Sequence, residues 1–298
     1  MDIDMTDALS RRMFVGSALA LGAAACAPAH AALRGTPVID VSLPSGRICR
    51  AWRYDPTDRL KGTIIFGHGA ASAPWKYVEL FAHWTRAGFR VIAPLHVDST
   101  DHPDHDRFAG MASWAARIED LRALSTMLGE ERYVAAGHSY GALAALALGG
   151  ATPMLPEGVA GPLADPRAAL VLAYSPPGAM APLIDAKGYA TLAVPALIQT
   201  GTADIPPGGA WENHLLAYES APAGGNRYAL VLDGVDHYFG GAICRPELPG
   251  PKQTAQLSSA AQLGRVMISA WLRNEPGAHS YLEGLVSEPL PGERLTRR

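Results

Sequence analysis

The segment that most constrains the fold is GHSYG at residues 137–141, a G-x-S-x-G pentapeptide. It follows a β-type apolar run at residues 132–136 and precedes a run of small helix-forming residues at 142–148. A serine between a strand and a helix occupies a sharp, strained turn, which pushes its hydroxyl out of the backbone. The flanking glycines let this turn approach neighbouring backbone closely. We therefore predict a strand, a sharp turn at Ser139 and a helix. A small-residue loop that caps an ordinary helix is the alternative interpretation.

A nucleophilic serine needs a general base and a group that orients the base, and the downstream sequence offers both. Asp204 follows a buried apolar run, residues 194–200, in a turn rich in Gly and Pro. His237 follows a second such run at 228–232. Because the carboxyl ends of parallel strands meet at one edge of a sheet, we expect both side chains to lie beside Ser139. The plainer alternatives are a turn aspartate and a surface loop histidine.

A third strand-like run supplies a candidate oxyanion hole. Residues 63–66 are apolar and β-branched, and they end in the sequence GHGAA. We predict that the backbone N–H groups of Ala70 and Tyr140 face the oxyanion, with Ala71 replacing Ala70 if the loop is shifted by one residue. His68 is expected to hold this loop by hydrogen bonds rather than to act as the base.

These motifs together resemble the α/β-hydrolase superfamily over about residues 35–275, and the order Ser139, Asp204, His237 is the order of its catalytic residues. Three shorter segments, residues 67–69, 175–178 and 236–237, are similar to the branch of dienelactone-hydrolase-like and platelet-activating-factor-acetylhydrolase-like esterases.

True dienelactone hydrolases use a cysteine where this chain has Ser139, so dienelactone hydrolysis itself is not expected. The resemblance implies a serine carboxylesterase without a cofactor or metal, acting on a small-molecule or polymeric ester. Two other classes stay open at this point. One is an acyltransferase or peptidase that uses the same three residues, and the other is a non-catalytic exported binding protein with this fold.

Strand-like and helix-like segments alternate along the rest of the chain. This alternation predicts an α/β-hydrolase fold: a mostly parallel sheet of about eight strands with helices on both faces. The first two strands, 38–43 and 47–54, are predicted to form an antiparallel hairpin. Apolar side chains at helical spacing predict further helices at residues 76–87, about 111–128 and 254–273.

No linker divides the chain, so residues 32–298 are predicted to form one domain with little or no cap. The segments that separate the predicted strands are too short for a large lid, and the cleft should be open. We expect Trp75, Tyr174 and Tyr238 to line it beside Tyr140. Core packing is the alternative for Trp75 and Tyr174.

The N-terminus predicts export. Residues 10–15, SRRMFV, form a twin-arginine signature, followed by a mildly apolar run at 16–25 and an A-x-A cleavage site at 29–31. We predict that residues 1–31 are a signal peptide, that the twin-arginine machinery is a partner, and that the mature protein is periplasmic or secreted. Lipoprotein anchoring at Cys26 is less favoured, because alanine precedes it where leucine is preferred. The alternative is a frayed basic terminus.

Composition excludes other classes. The formal charge of −3 gives no electrostatic reason to bind nucleic acid, and the body of the chain has no uncharged apolar run long enough to span a membrane. Cys49 and Cys244 remain after cleavage, and the sequence leaves open whether they form a disulfide. The loop at 96–106 contains three histidines and four aspartates. Metal binding is one interpretation of this loop, and a substrate-contacting loop is the one we favour.

Overall fold

A computed structural model describes residues 38–298, and one nine-stranded sheet organises this part of the chain. The predicted signal peptide lies outside the described residues. The strands are β1 Val38–Ser42, β2 Ile48–Tyr54, β3 Gly62–Gly67, β4 Phe89–Pro94, β5 Tyr133–His138, β6 Ala168–Tyr174, β7 Ala196–Gly201, β8 Arg227–Leu232 and β9 Glu293–Arg297.

The strand order is β1-β2-β4-β3-β5-β6-β7-β8-β9. The strands from β4 to β8 in this order pair in parallel, while β1–β2, β2–β4 and β8–β9 pair antiparallel. This confirms the mostly parallel sheet and the opening hairpin. The ninth strand, ERLTR, was not predicted, because an edge strand with one buried residue, Leu295, has too few apolar positions to show a pattern.

Helices flank the sheet, and those expected from apolar spacing are present. They are α1 Val78–Arg86, α2 Met111–Met127, α3 Tyr140–Leu148, α4 Ala186–Tyr189, α5 Leu216–Ser220, α6 Thr254–Trp271 and α7 Pro276–Ser287, with 3-10 turns at Pro74–Tyr77, His105–Arg107 and Trp211–Leu215. Helix α7 was not predicted. Within residues 38–298, no helix combines the length and apolar character that a bilayer crossing requires.

The core is deepest around the centre of the sheet. All residues of β5 and β6 are buried, as expected for parallel strands that are covered on both faces. Helix α3 packs on these strands with the sequence YGALAALAL, and its small side chains let the helix axis lie close to the sheet. The connection from β6 to β7 holds one short helix, α4, and an isolated bridge between Met180 and Ile184. The carboxyl ends of the central strands therefore stay uncovered by a cap.

Glycine is required where α3 begins, because the backbone of α3 touches that of β3. A Cβ built on Gly141 would lie 2.0 Å from the carbonyl oxygen of Gly67 and 2.7 Å from that of His68. A Cβ on Gly137 would lie 2.2 Å from the carbonyl oxygen of Gly141. Since these neighbours are backbone atoms held by the sheet, they cannot move aside without disturbing it. Ser139 is thus fixed between two contacts that exclude side chains.

We expect Gly141→Ala to destabilise the protein by at least ~2 kcal/mol, because it overpacks a backbone contact in the core. The measurement is the free energy of unfolding in urea. Gly277→Ala on α7 is the matched control, since its Cβ would meet no atom within 4 Å and alanine favours a helix by about 0.5–1 kcal/mol over glycine. Equal stability of Gly141→Ala and the wild type would contradict this packing.

Candidate active site

Ser139 lies on the sharp turn between β5 and α3, with φ 53° and ψ −119°. A non-glycine residue in this conformation is strained by about 1–3 kcal/mol, and such strain persists where the surroundings enforce it. Here the Ser139 N–H donates to the carbonyl of Tyr174 at 2.8 Å, and the Ser139 carbonyl accepts from the N–H of Ala142 at 2.9 Å. The predicted strand, turn and helix are confirmed. The side chain of Ser139 is half-buried at the carboxyl edge of the sheet.

Asp204 and His237 meet at the same edge, in the loops after β7 and β8. His237 Nδ1 lies 2.8 Å from Asp204 Oδ1, and Thr200 Oγ1 donates to Asp204 Oδ2 at 3.1 Å. Burial alone would raise the pKa of Asp204, which is 1% exposed, but its histidine neighbours lower the pKa well below its usual range. Asp204 is therefore an anion that accepts from Nδ1–H of His237. The proton-free Nε2 of His237 is left as a base.

The pKa of His237 is lowered below its usual value. Burial is the largest cause, the neighbouring imidazoles of His138 and His214 add to it, and the Asp204 carboxylate opposes it. His237 therefore stays neutral at neutral pH, which a general base requires.

His138 joins the serine turn to the loops on either side. Burial lowers the pKa of His138 to about 4, so the ring is neutral. Its Nε2–H donates to the carbonyl of His237 at 2.8 Å, and the two rings are 4.7 Å apart. Its Nδ1 accepts from the hydroxyl of Tyr77 at 2.9 Å, and that hydroxyl accepts from the N–H of Gly69 at 2.9 Å. One chain of hydrogen bonds thus holds three loops around Ser139.

Within residues 38–298, no hydrogen bond joins the Ser139 hydroxyl to the His237 ring. Catalytic hydrogen bonds are often long before substrate binds and shorten in the complex. The bond from His138, the residue before Ser139, to the His237 carbonyl shows that the two loops are adjacent.

The loop after β3 presents one unpaired amide toward this edge. The N–H of Gly69 donates to Tyr77, and the N–H of Ala71 faces Asp98 Oδ2 at 3.4 Å. In the described part of the chain, the N–H groups of Ala70 and Tyr140 have no hydrogen-bond acceptor. The N–H of Ala70 is therefore free of a protein acceptor in this part of the chain, whereas that of Ala71 faces a carboxylate.

His68 has the structural role expected of it. The ring is fully buried, Nδ1–H donates to the Gly69 carbonyl at 2.7 Å, and Nε2 accepts from the N–H of His96 at 3.0 Å. Burial holds the pKa of His68 well below its usual value. Both ring nitrogens are occupied by backbone groups, one in this loop and one in the segment after β4, so His68 is not a free base.

A buried arginine that the sequence analysis missed supports the same loop. Arg117 on α2 contacts both carboxylate oxygens of Asp98 at 2.7 Å and donates to the carbonyl of His68 at 2.8 Å. Its guanidinium also lies 4.4 Å from the centre of the Tyr140 ring. Asp98 in turn has a pKa held low, since the Arg117 charge outweighs the burial that would raise it. A charged residue on the apolar face of α2 was the available signal.

A second missed residue is His214, in the 3-10 turn Trp211–Leu215. The ring is 4% exposed, and its Nε2 lies 3.0 Å from Asp204 Oδ1, the oxygen that His237 also contacts. The N–H direction is not aligned with the carboxylate, so the contact is an ion pair rather than a straight hydrogen bond. No sequence pattern indicates His214, because it lies in a short irregular segment.

The ligand atoms of Asp204, His214 and His237 lie within 4.8 Å of one another, the spacing of a potential metal site. The N–O distances of 2.8 and 3.0 Å are those of hydrogen-bonded and ion-paired groups, so proton-mediated contacts already account for the arrangement. We assign these side chains as a hydrogen-bonded group. The loop at 96–106 does not form such a group, because its acids and histidines enter separate pairs, among them His96–Asp120 and Lys76–Asp101.

The residues predicted to line the cleft have different surroundings. Tyr238 packs edge-on against His237 at 5.0 Å, and Tyr140 lies half-buried beside Ser139. Trp75 is 39% exposed and packs against Trp52.

The prediction for Tyr174 is wrong. Its side chain is 1% exposed and its hydroxyl lies 3.5 Å from the Ala260 carbonyl of α6. A residue on a central strand that is covered by a helix belongs to the core, so Tyr174 does not line a cleft.

Cys49 and Cys244 are buried, and both are free thiols.

Three features together define the α/β-hydrolase class. They are a strained serine between a strand and a helix, an acid and then a histidine after later strands, and an open, mostly parallel sheet. The sequence matches the alpha/beta hydrolase family over residues 64–289, which is most of the chain. The protein therefore belongs to the alpha/beta hydrolase family.

Many solved structures share this fold, among them two described as esterases and one as a peptidase. Thermogutta terrifontis esterase 2, phosphoramylated by tabun, is 16% identical with a TM-score of 0.60, over 79% of this chain and 94% of that one. The esterase domain of a Rhodothermus marinus protein is 15% identical with a TM-score of 0.55, and the match covers 79% of this chain and 98% of that one. A puromycin-hydrolyzing peptidase of Mycobacterium tuberculosis is 15% identical with a TM-score of 0.55, and the match covers 80% of this chain and 40% of that one. A comparison with curated protein sequences finds no match.

We expect Arg117→Met to lower the free energy of unfolding by about 3–5 kcal/mol, because Asp98 would remain as a buried charge without its partner. Urea unfolding measures this loss. Arg107→Met is the control, since the Arg107 side chain is 76% exposed and its ion pair with Asp104 contributes about 0–1 kcal/mol. Equal losses in the two variants would show that Arg117 is not a special support of the loop.

Proposed function

We propose that this protein is a serine carboxylic-ester hydrolase. The observation that carries the proposal is the hydrogen bond of 2.8 Å between His237 and Asp204, in loops next to the strained turn at Ser139. The unpaired N–H groups of Ala70 and Tyr140 lie at the same edge of the sheet. An activated serine needs a base, an orienting acid and oxyanion donors, and these residues supply each part. Membership of the alpha/beta hydrolase family supports the assignment.

In the proposed reaction, Nε2 of His237 removes the proton of Ser139 as Oγ attacks the ester carbonyl carbon. The N–H groups of Ala70 and Tyr140 donate to the oxyanion. His237, now an imidazolium oriented by Asp204, protonates the departing alcohol as the C–O bond breaks. Water then attacks the acyl-enzyme, with His237 again as base, and releases the carboxylic acid and free Ser139.

We further propose that the substrates are small or extended esters rather than bulky lipid aggregates. The carboxyl edge of the sheet has no cap between β6 and β7, and Tyr238 and Tyr140 flank the reacting groups. The structural neighbours include proteins described as esterases, which supports the same class. The branch related to dienelactone-hydrolase-like and platelet-activating-factor-acetylhydrolase-like esterases stays a proposal that rests on the motifs.

We expect a fluorophosphonate to label Ser139 covalently, because its hydroxyl is activated by His237. Peptide mass spectrometry of the purified protein locates the label. Ser139→Ala should not be labelled, and its rate of hydrolysis of 4-nitrophenyl acetate should fall by at least ~10³-fold. Its thermal unfolding should stay close to that of the wild type. Ser280→Ala, an exposed residue of α7, is the control and should keep both.

The same experiment separates the alternatives. Labelling of Ser139 with amide cleavage as fast as ester cleavage would favour a peptidase, and faster transfer to an added alcohol than to water would favour an acyltransferase. Folded protein with neither label nor hydrolysis would overturn the enzyme assignment and favour a binding protein.

We also propose that the protein is exported by the twin-arginine route. The support is the pair Arg11-Arg12 before an apolar run and the A-x-A site at 29–31. Replacing both arginines by lysine should keep the charge and leave the protein in the cytoplasm at its unprocessed mass. Cell fractionation and mass spectrometry of the N-terminus test this. The control is Arg50→Lys, in the body of the chain. Unchanged export of the double variant would contradict the route.

A further inference from the structure

His214 is a buried histidine whose two ring nitrogens both face acceptors. Nδ1 lies 2.7 Å from the carbonyl oxygen of Pro176, and Nε2 lies 3.0 Å from Asp204 Oδ1. The 3-10 turn that carries His214 packs against β7, the strand that leads into Asp204. The position of the ring is therefore set by the main body of the fold and not by a loose surface loop.

The contacts of His214 determine its charge. A neutral imidazole with its N–H on Nδ1 would leave the lone pair of Nε2 3.0 Å from a carboxylate oxygen. An imidazolium donates from Nδ1 to the Pro176 carbonyl and places its Nε2 proton beside Asp204 as an ion pair. Burial by itself lowers the pKa of His214, but the carboxylate and the carbonyl outweigh it and raise the pKa above its usual value.

His214 and His237 share one carboxylate oxygen. Both rings contact Oδ1 of Asp204, and their centres are 5.7 Å apart. A positive charge on His214 partly neutralises Asp204 and repels a proton on His237. The other charged or titratable neighbours are His138 and Tyr238, whose rings lie 4.7 and 5.0 Å from that of His237, and Arg245, which acts on His138.

We propose that His214 is a positioning residue of the active site, held as an imidazolium between Asp204 and Pro176, and that it keeps His237 free of a proton at lower pH than Asp204 alone would allow. This inference rests on the proposed function, because it assigns a role through the base of that reaction. Its consequence is an esterase that retains activity in mildly acidic surroundings.

The sign of the effect follows from the charges. The Asp204 anion favours protonated His237, and cationic His214 disfavours it. Loss of the His214 charge therefore raises the pKa of His237, and activity is lost at a higher pH on the acid side. Since His214 is protonated throughout that acid range, its charge is present where His237 titrates.

The test compares His214→Gln with the wild type in kcat/KM for 4-nitrophenyl acetate from pH 4.5 to 9 at constant ionic strength. Glutamine keeps a polar side chain of similar length but carries no charge. We expect the acid-side midpoint of the wild type to lie below about 6.5. That of the variant should rise by roughly 0.5–1 pH unit, as for a unit charge about 6 Å away at an effective dielectric constant of roughly 40–80. His83→Gln on α1, whose charged neighbours are Arg86 and Arg265, should match the wild type. A fall in kcat/KM that is equal at every pH, or no change, would overturn the proposal.

A second measurement does not depend on activity. Nitrogen-15 spectra of the histidine rings in the wild type should show both nitrogens of His214 protonated at pH 6, and a titration midpoint of His237 that rises in His214→Gln. A neutral His214 at pH 6 would overturn the inference even if the variant did not fold. Absence of ester hydrolysis in the wild type would instead overturn the proposed function, and the His237 midpoints would still decide whether His214 sets its protonation.

Discussion

The contact between the start of α3 and the end of β3 is the constraint on which the site depends. Gly141 lies so close to the backbone of Gly67 that no side chain fits between them, and Gly137 lies equally close to Gly141. Ser139 lies between these two glycines and has φ 53°. The same contact brings the loop after β3, with Ala70, next to the first turn of α3, with Tyr140. One piece of backbone packing thus positions Ser139 and the N–H groups of Ala70 and Tyr140.

Buried polar and charged side chains hold the loops that this packing brings together. Arg117 joins Asp98 to the carbonyls of the oxyanion loop, and neutral His138 joins Tyr77 to the His237 loop. These groups lie in a water-poor interior, where an unpaired partner is costly, so each contact defines one geometry rather than several. The rigidity of the site comes from this network. The proposed reaction needs dipoles that are preorganised in this way.

Asp204 illustrates how one carboxylate serves two neighbours. His237 and His214 both contact Oδ1. A carboxylate raises the pKa of a histidine that it contacts, and a second, cationic histidine on the same oxygen reduces that effect. Under the proposed role of His214, the ionisation of His237 therefore reflects a balance among three groups and not a pair. Titrations of such coupled groups belong to the group as a whole.

The local sequence determined the alternation of strands and helices and the strand–turn–helix at Ser139, because these depend on residues near one another in the chain. It also indicated Ser139, Asp204 and His237 in that order, because each directly follows a strand-like run. It did not determine the edge strand β9 or the burial of Tyr174, which depend on where an element lies in the sheet. The contact of the Ala71 N–H with Asp98, and those of Arg117 and His214 with buried carboxylates, join segments far apart in sequence. Apolar periodicity records which side of an element is buried, but the partner of a buried charge is fixed by the tertiary structure alone.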